Sequence, residues 1–160
     1  YCHFSDNRKK SGKRSIMKKI GIAGDHAGYE YKARLKQDLE RLGYEVVDLG
    51  PDSDDSVDYA DYVHPLADAV SKGDVDQGIA ICGSGNGVCM TVNKHQNIRG
   101  ALVWNNDLAA LARQHNDANI VCLPARFVDY NLALKMAETF LTTDFEGGRH
   151  ERRVLKISCD

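Results

Sequence analysis

From Lys18 onward, short apolar runs alternate five times with segments of helical period, and nothing else in the chain limits its fold as strongly. Residues 18–23 (KKIGIA) are a short apolar run closed by Gly24-Asp25, the pattern of a strand. Tyr31, Leu35, Leu39 and Leu42 recur at helical spacing, and Gly43 stops that helix. Residues 45–49 (EVVDL) predict a second strand. An acidic, Ser-rich loop covers 50–58, and Val63, Leu66, Ala67 and Val70 predict a helix ending at Gly73. The most strongly marked strand is 78–82 (GIAIC). The loop Gly83-Ser84-Gly85-Asn86-Gly87 and a short helix over 88–93 follow it. Residues 100–103 and 120–123 predict strands four and five, with a helix marked by Leu108, Leu111, Ala112 and His115 between them. Asp129 is placed to cap a last helix that turns Leu132, Met136, Ala137 and Phe140 inward. A polar tail led by Gly147-Gly148 closes the pattern.

Five βα units in series imply a parallel sheet. Parallel strands need crossovers, and right-handed crossovers carry the helices onto both faces. The expected fold class is α/β: a three-layer α/β/α Rossmann-like domain with a five-stranded parallel sheet. Residues 17–160 are expected to form one domain, since no linker or repeat divides them. No run of about 18–20 uncharged apolar residues is present, so no membrane span is expected. The formal net charge of −2 gives no basic field for nucleic acid. That charge is uneven: residues 1–16 carry +4 and the rest −6. This stretch lacks the apolar region of a secretory signal. It reads as a vector-derived or native disordered arm; the sharper reading, a nucleic-acid-binding arm, has basic residues but no interleaved aromatics. The five cysteines are odd in number and none sits in a C-x-x-C pair, which favours a reducing cytoplasm over a disulfide framework.

In such folds ligands gather at the carboxyl edge of the sheet, so the chemistry is sought in the loops after the strands. Cys82 ends a strand, and glycines at 83, 85 and 87 let the following amides turn toward a cleft at a helix start. Such a nest suits an oxyanion or phosphate, and the same positive end favours a thiolate. The alternative is a buried strand-end cysteine before a tight turn. A dinucleotide fingerprint needs other glycine spacing, a cysteine phosphatase needs an arginine where Val88 stands, and a Walker loop needs Gly-Lys-Ser/Thr. Asp25-His26, in the first loop, suits proton transfer and anion binding, or else a helix cap beside a surface histidine. His115-Asn116 closes the fourth helix, where dipole alone favours a histidine by ~0.3–1 kcal/mol. Arg149 and Arg153 lie four apart, one helical face, and with Arg152 form either a phosphate grip or a solvated charge run. His64 and His95 read as surface or cap residues, Cys89 and Cys122 as core. No metal site is assigned.

Taken together, these pieces resemble the B-type ribose-5-phosphate isomerase family, which includes galactose-6-phosphate and allose-6-phosphate isomerases. The matching segments are Ile22-Ala23-Gly24-Asp25-His26-Ala27-Gly28, Cys82-Gly83-Ser84-Gly85-Asn86-Gly87, Asn93-Lys94, Arg113-Gln114-His115-Asn116-Asp117-Ala118-Asn119 and Glu146-Gly147-Gly148-Arg149-His150. Their order holds from about Met17 to Ile157. The resemblance implies aldose–ketose isomerisation through a cis-enediol(ate) with no metal and no organic cofactor. It implies Cys82 as the base between C1 and C2 and the amides of Gly83 to Gly87, Gly85 and Asn86 included, around the enediolate oxygen. Ser84 stands where threonine is frequent, keeps the hydroxyl and is counted with the catalytic residues. Asp25 and His115 would open the furanose ring, with Asn116 positioning it. His26, Arg149 and Arg153 would hold the phosphate, and Arg126 and Tyr59 match positions near the site. Some relatives draw a carboxylate base from the next helix; Val88 to Met90 contain no acid.

The expected activity is that of a cytoplasmic ribose-5-phosphate isomerase acting on a small sugar phosphate. A six-carbon sugar phosphate isomerase and a non-catalytic sugar-phosphate-binding domain are the alternatives. The second would need neither Cys82 nor His115. Direction of the elements adds one expectation. Cys82 ends a strand and His115 ends a helix running back, so they should lie at opposite sheet edges, about 17 Å apart for a five-residue strand. Both can serve one substrate only if two subunits share each site, as in the homodimer or dimer of dimers that the resemblance implies.

Overall fold

The structure, a computed structural model, describes residues 17–159; the basic arm expected over 1–16 lies outside the described residues. The elements are β1 (Lys19–Gly24), α1 (Tyr29–Arg41), β2 (Glu45–Asp48), α2 (Tyr59–Lys72), β3 (Gln77–Cys82), α3 (Asn86–Val92), β4 (Gly100–Leu102), α4 (Asn106–Gln114), β5 (Ile120–Pro124), α5 (Tyr130–Thr142) and α6 (Arg149–Leu155). All strands pair in parallel, in the order β2-β1-β3-β5-β4. The three-layer α/β/α arrangement expected from the alternation is the one observed.

The pleat sorts the strand residues by size. Ile20, Ile22, Ile79, Ile81, Val121 and Leu123 meet Leu35 and Leu39 of α1, Ala109 and Ala112 of α4, and Met136 and Phe140 of α5. The opposite face carries Ala23, Ala80, Cys82, Ile120 and Cys122 beneath Val63, Leu66 and Ala67 of α2 and Val88 and Val92 of α3. Each fully buried Ile or Leu contributes about 1.5–3 kcal/mol of transfer free energy, which fixes the register that places Cys82 at the strand end.

A buried charge ties the ends of β1 and β2 together. Lys32 is 1% exposed, and its Nζ donates to both carboxylate oxygens of Asp48 at 2.8 Å. Asp48 Oδ1 also accepts from the Gly50 amide at 2.9 Å, and the Gly50 carbonyl accepts from the Gly24 amide at 3.2 Å. The ion pair thereby anchors the entrance to the first loop.

Several elements differ from their sequence reading. The polar tail is a sixth helix, entered through Gly147 and Gly148 at φ 66° and 56°. Glu151 in its first turn and Arg152 and Arg153 in its last complement the helix dipole. The third helix starts at Asn86, two residues early, because Gly85 supplies the left-handed turn that opens it. Leu111 is exposed. His64 and His95 are not isolated surface groups: His64 Nδ1 and His95 Nε2 lie 2.6 Å apart, and His95 Nδ1 lies 3.3 Å from Asp68. Cys89 is half-buried rather than core, with its Sγ 3.6 Å from the Gly100 carbonyl. A hydrogen bond with the Cys122 thiol lowers the Cys89 thiol to about 7. The same contact, with complete burial, pushes the Cys122 thiol up. Among the described residues no helix is long and apolar enough to cross a membrane.

Candidate active site

The chain leaves β1 toward β2 on one side and returns to β3 on the other. This reversal opens a crevice at the carboxyl ends of β1 and β3, where open α/β sheets bind ligands. The loops after β1, β3 and β5 meet there. Asp25, His26, Ala27, Tyr59, Cys82, Gly83, Ser84, Gly87, Arg126 and Phe127 line one cleft. Most of the residues singled out in the sequence therefore converge.

Asp25 is 7% exposed. Its Oδ1 accepts from the amides of Ala27 at 2.9 Å and Gly28 at 3.2 Å, so the helix-cap reading holds for that oxygen. Its own amide donates to the Ile81 carbonyl at 3.2 Å, which fastens the first loop to β3. His26 Nδ1 accepts from the Val57 amide at 3.2 Å. An acceptor at Nδ1 assigns the proton of the neutral ring to Nε2, leaving a donor for an anion.

Cys82 is nearly buried at the end of β3, and its carbonyl accepts from the Ala125 amide at 2.9 Å. Gly83 accepts from the Arg126 amide at 3.0 Å, and the Arg126 side chain lies across Gly83. Pro124 does not disturb this loop, because it continues β5 in register with Cys82. Gly85 is left-handed at φ 75°, a conformation glycine adopts without cost. Ser84 Oγ accepts from the Asn86 amide at 3.2 Å. The Cys89 amide donates to Gly85, but among the described residues no backbone carbonyl takes the Gly87 or Val88 amide. These N–H groups are the free donors of the nest.

Gly87 has a second role that its spacing does not reveal. A Cβ there would lie 2.5 Å from Cζ of Tyr59, so the missing side chain is what lets the phenol ring lie against the loop. Asn86 faces a neighbouring cavity with Ser84, Leu102, Trp104, Pro124 and Phe127. Trp104 and Phe127 are 56% and 76% exposed, on two of the carboxyl-edge loops where the sequence places the chemistry, though the sequence gives neither residue a role. An apolar side chain on a loop at the carboxyl edge was the signal available.

The remaining candidates lie elsewhere. His115 caps the C-terminus of α4, beside the amino ends of β3 and β5, where the Gly78 amide donates to the Asn119 carbonyl at 2.9 Å. Arg113 holds that corner: its guanidinium donates to the Thr143 carbonyl at 3.1 Å and to Asp117 Oδ1 at 2.9 Å. Asp117 takes a left-handed conformation at φ 47°, and Asn116 beside it is exposed. His115 stacks on His150 with ring centroids 4.1 Å apart and planes 14° from parallel. His150 follows Arg149 on α6, and Arg149 and Arg153 are exposed one turn apart. The length of β3 separates this group from the cleft, about 17 Å at 3.3 Å per residue. Within one chain the structure thus separates the candidates into two groups: Cys82 with Asp25, His26, Tyr59 and Arg126, and His115 with Asn116, Arg149 and Arg153.

Comparison with known proteins gives one consistent answer. The family described as Ribose/Galactose Isomerase matches residues 20–157. The chain is 47% identical over 140 residues to a probable ribose-5-phosphate isomerase B of Mycoplasma genitalium, covering 86% of this chain and 92% of that one. Among solved structures it is similar to a ribose 5-phosphate isomerase B of Thermotoga maritima, with TM-score 0.87, 45% identity and coverage of 89% and 98%. It is also similar to the Mycoplasma genitalium ribose-5-phosphate isomerase B with bound ribulose-5-phosphate, with TM-score 0.84, 46% identity and coverage of 89% and 95%.

Proposed function

Because the chain belongs to the ribose/galactose isomerase family, we propose that it interconverts ribose 5-phosphate and ribulose 5-phosphate through a cis-enediol(ate), with Cys82 as the base. It is an aldose–ketose isomerase, and its relatives by name are ribose-5-phosphate isomerases. The observation that carries the residue assignment is the convergence of Cys82, the glycine-loop amides, Asp25 and His26 in one crevice.

The Cys82 thiolate takes the proton from C2 of the open-chain aldose and returns it to C1. A carbon acid α to a carbonyl is too weak for a thiolate unless the product anion is held. The amides of the Gly83 to Gly87 loop supply that hold, a single such donor being worth ~2.7–4 kcal/mol. The positioned base adds roughly 10²- to 10⁴-fold. Ser84 presents its hydroxyl to the same cleft, and Tyr59 closes it above Gly87. Asp25, with Oδ1 committed to the turn, offers Oδ2 for ring opening. The His26 Nε2–H and the Arg126 guanidinium bind oxygen atoms of the substrate. The phosphate is remote from the reacting carbons, so gripping it turns binding energy into orientation.

His115, Asn116, Arg149 and Arg153 complete this site from a second copy of the chain, His115 for ring opening and the arginines for the phosphate. Two features support a shared site: the separation of the two groups, and the exposed Trp104 and Phe127 beside the cleft, apolar surface that a partner would cover. A two-fold dimer gives two equivalent sites. The free thiols of Cys82, Cys89, Cys122 and Cys159 support a reducing, cytoplasmic location.

Proton NMR in deuterated water tests the activity. With ribose 5-phosphate we expect ribulose 5-phosphate to form and the C2 proton signal of the aldose to disappear. A ligand shift without exchange would mean a binding domain. Faster turnover of allose 6-phosphate or galactose 6-phosphate would move the assignment to a six-carbon substrate.

A further inference from the structure

We propose that His115, Glu146 and His150 form a zinc-class transition-metal site, and that occupying it switches the isomerase off by withdrawing His115. No sequence spacing announces the trio. His115 ends α4, Glu146 lies in the connection to α6, and His150 lies within α6. The fold brings one ligand atom of each within 4.8 Å of the others. The Glu146 amide donates to the Gln114 carbonyl at 3.1 Å, which pins the connection beside His115.

The geometry fits a metal better than it fits a hydrogen bond. His150 Nε2 and Glu146 Oε2 are 3.6 Å apart, beyond hydrogen-bond reach. Two zinc bonds of about 2.1 Å at a tetrahedral angle span about 3.4 Å, so this pair already stands near the bite of a zinc ion. His115 and His150 are stacked with their planes 14° from parallel, so binding turns the rings out of the stack until both planes meet at the ion. Two imidazoles and one carboxylate are a known zinc donor set, with a fourth position open. Glu146 is exposed and marks the entry path.

The surrounding charge selects the metal. Arg149 and Arg153 flank His150 on α6 and repel a hard cation held mainly by electrostatics. Magnesium and calcium, which need several oxygen ligands, are therefore excluded; zinc and its neighbours bind imidazole strongly enough. No electron is transferred. The metal exchanges bound waters for two ring nitrogens and one carboxylate oxygen, and any proton on a ring passes to buffer.

The inhibitory part rests on the proposed role of His115, and the binding part does not. The test keeps them apart. The full chain is stripped with EDTA and titrated with zinc chloride, and bound metal is counted by equilibrium dialysis against His150→Ala and Glu146→Gln. Zinc bound by thiols is common to all three proteins. We expect each variant to bind one zinc fewer per chain than the parent, with unchanged circular dichroism in Glu146→Gln. We also expect zinc to inhibit the parent reversibly, and inhibition of Glu146→Gln to require at least tenfold more zinc. Equal zinc stoichiometry in the parent and Glu146→Gln would overturn the site. One zinc fewer in both variants, with no effect on parent turnover, would overturn the inhibition and remove His115 from the reaction.

Discussion

Subunit complementation is the sharpest consequence of the proposed shared site. Cys82→Ala removes the proposed base and His115→Ala the proposed ring-opening group, so each protein alone should be inactive. The sheet puts about 17 Å between the two positions, the length of β3 at about 3.3 Å per residue, and no side chain reaches across that distance. In the proposed function each site therefore pairs Cys82 of one copy with His115 of the other. Equal amounts of the two variants, unfolded together and refolded, give about half mixed dimers by random pairing. Every mixed dimer holds one intact site and one doubly defective site. About a quarter of the parent activity should return, read as ribulose 5-phosphate formed from ribose 5-phosphate by NMR. Native mass spectrometry with one variant tagged confirms the mixed species. If mixed dimers form and no activity returns, both groups serve from one chain and the reading of the sheet edges is wrong.

Three further outcomes follow from particular contacts. Asp48→Ala leaves the buried Lys32 ammonium without its partner, a loss of about 3 kcal/mol that urea unfolding should register as a lower midpoint; an unchanged midpoint would show that the pair anchors nothing. Arg149→Ala should raise KM for ribose 5-phosphate strongly while hardly altering the slow turnover of free ribose, and equal losses on both would make the arginine structural or chemical. The Cys89 thiol, held down to about 7 by Cys122, is protonated and slow below that pH. Its alkylation, followed by mass spectrometry, should rise through about pH 7 and then level off, whereas an ordinary thiol rises around 8.5.

The five-fold alternation of strand and helix was legible because parallel strands are buried on both faces and read as unbroken apolar runs. The cleft was legible where a motif lies within one loop, as in Asp25-His26 and the Cys82 to Gly87 run. What escaped was contact between distant segments. Tyr59 against Gly87 depends on how α2 lies over α3, and no local pattern encodes that. His64 beside His95, and His115 beside His150 and Glu146, are brought together only by the folded chain. The tail reads as polar because α6 has seven residues, less than two turns, and buries only His150, too little for a helical period to show. Arg126 is placed by the sheet itself: β5 carries straight through Pro124, in register with Cys82, and the loop after it lays the guanidinium against Gly83.

The central claim is that a thiol at position 82 moves the proton. Ribose 5-phosphate in deuterated water should lose its C2 proton signal with the parent protein and keep it with Cys82→Ala, while the phosphorus resonance of the sugar shifts on binding to both. Exchange by Cys82→Ala near the parent rate would contradict the claim and send the search for the base to another residue of the cleft.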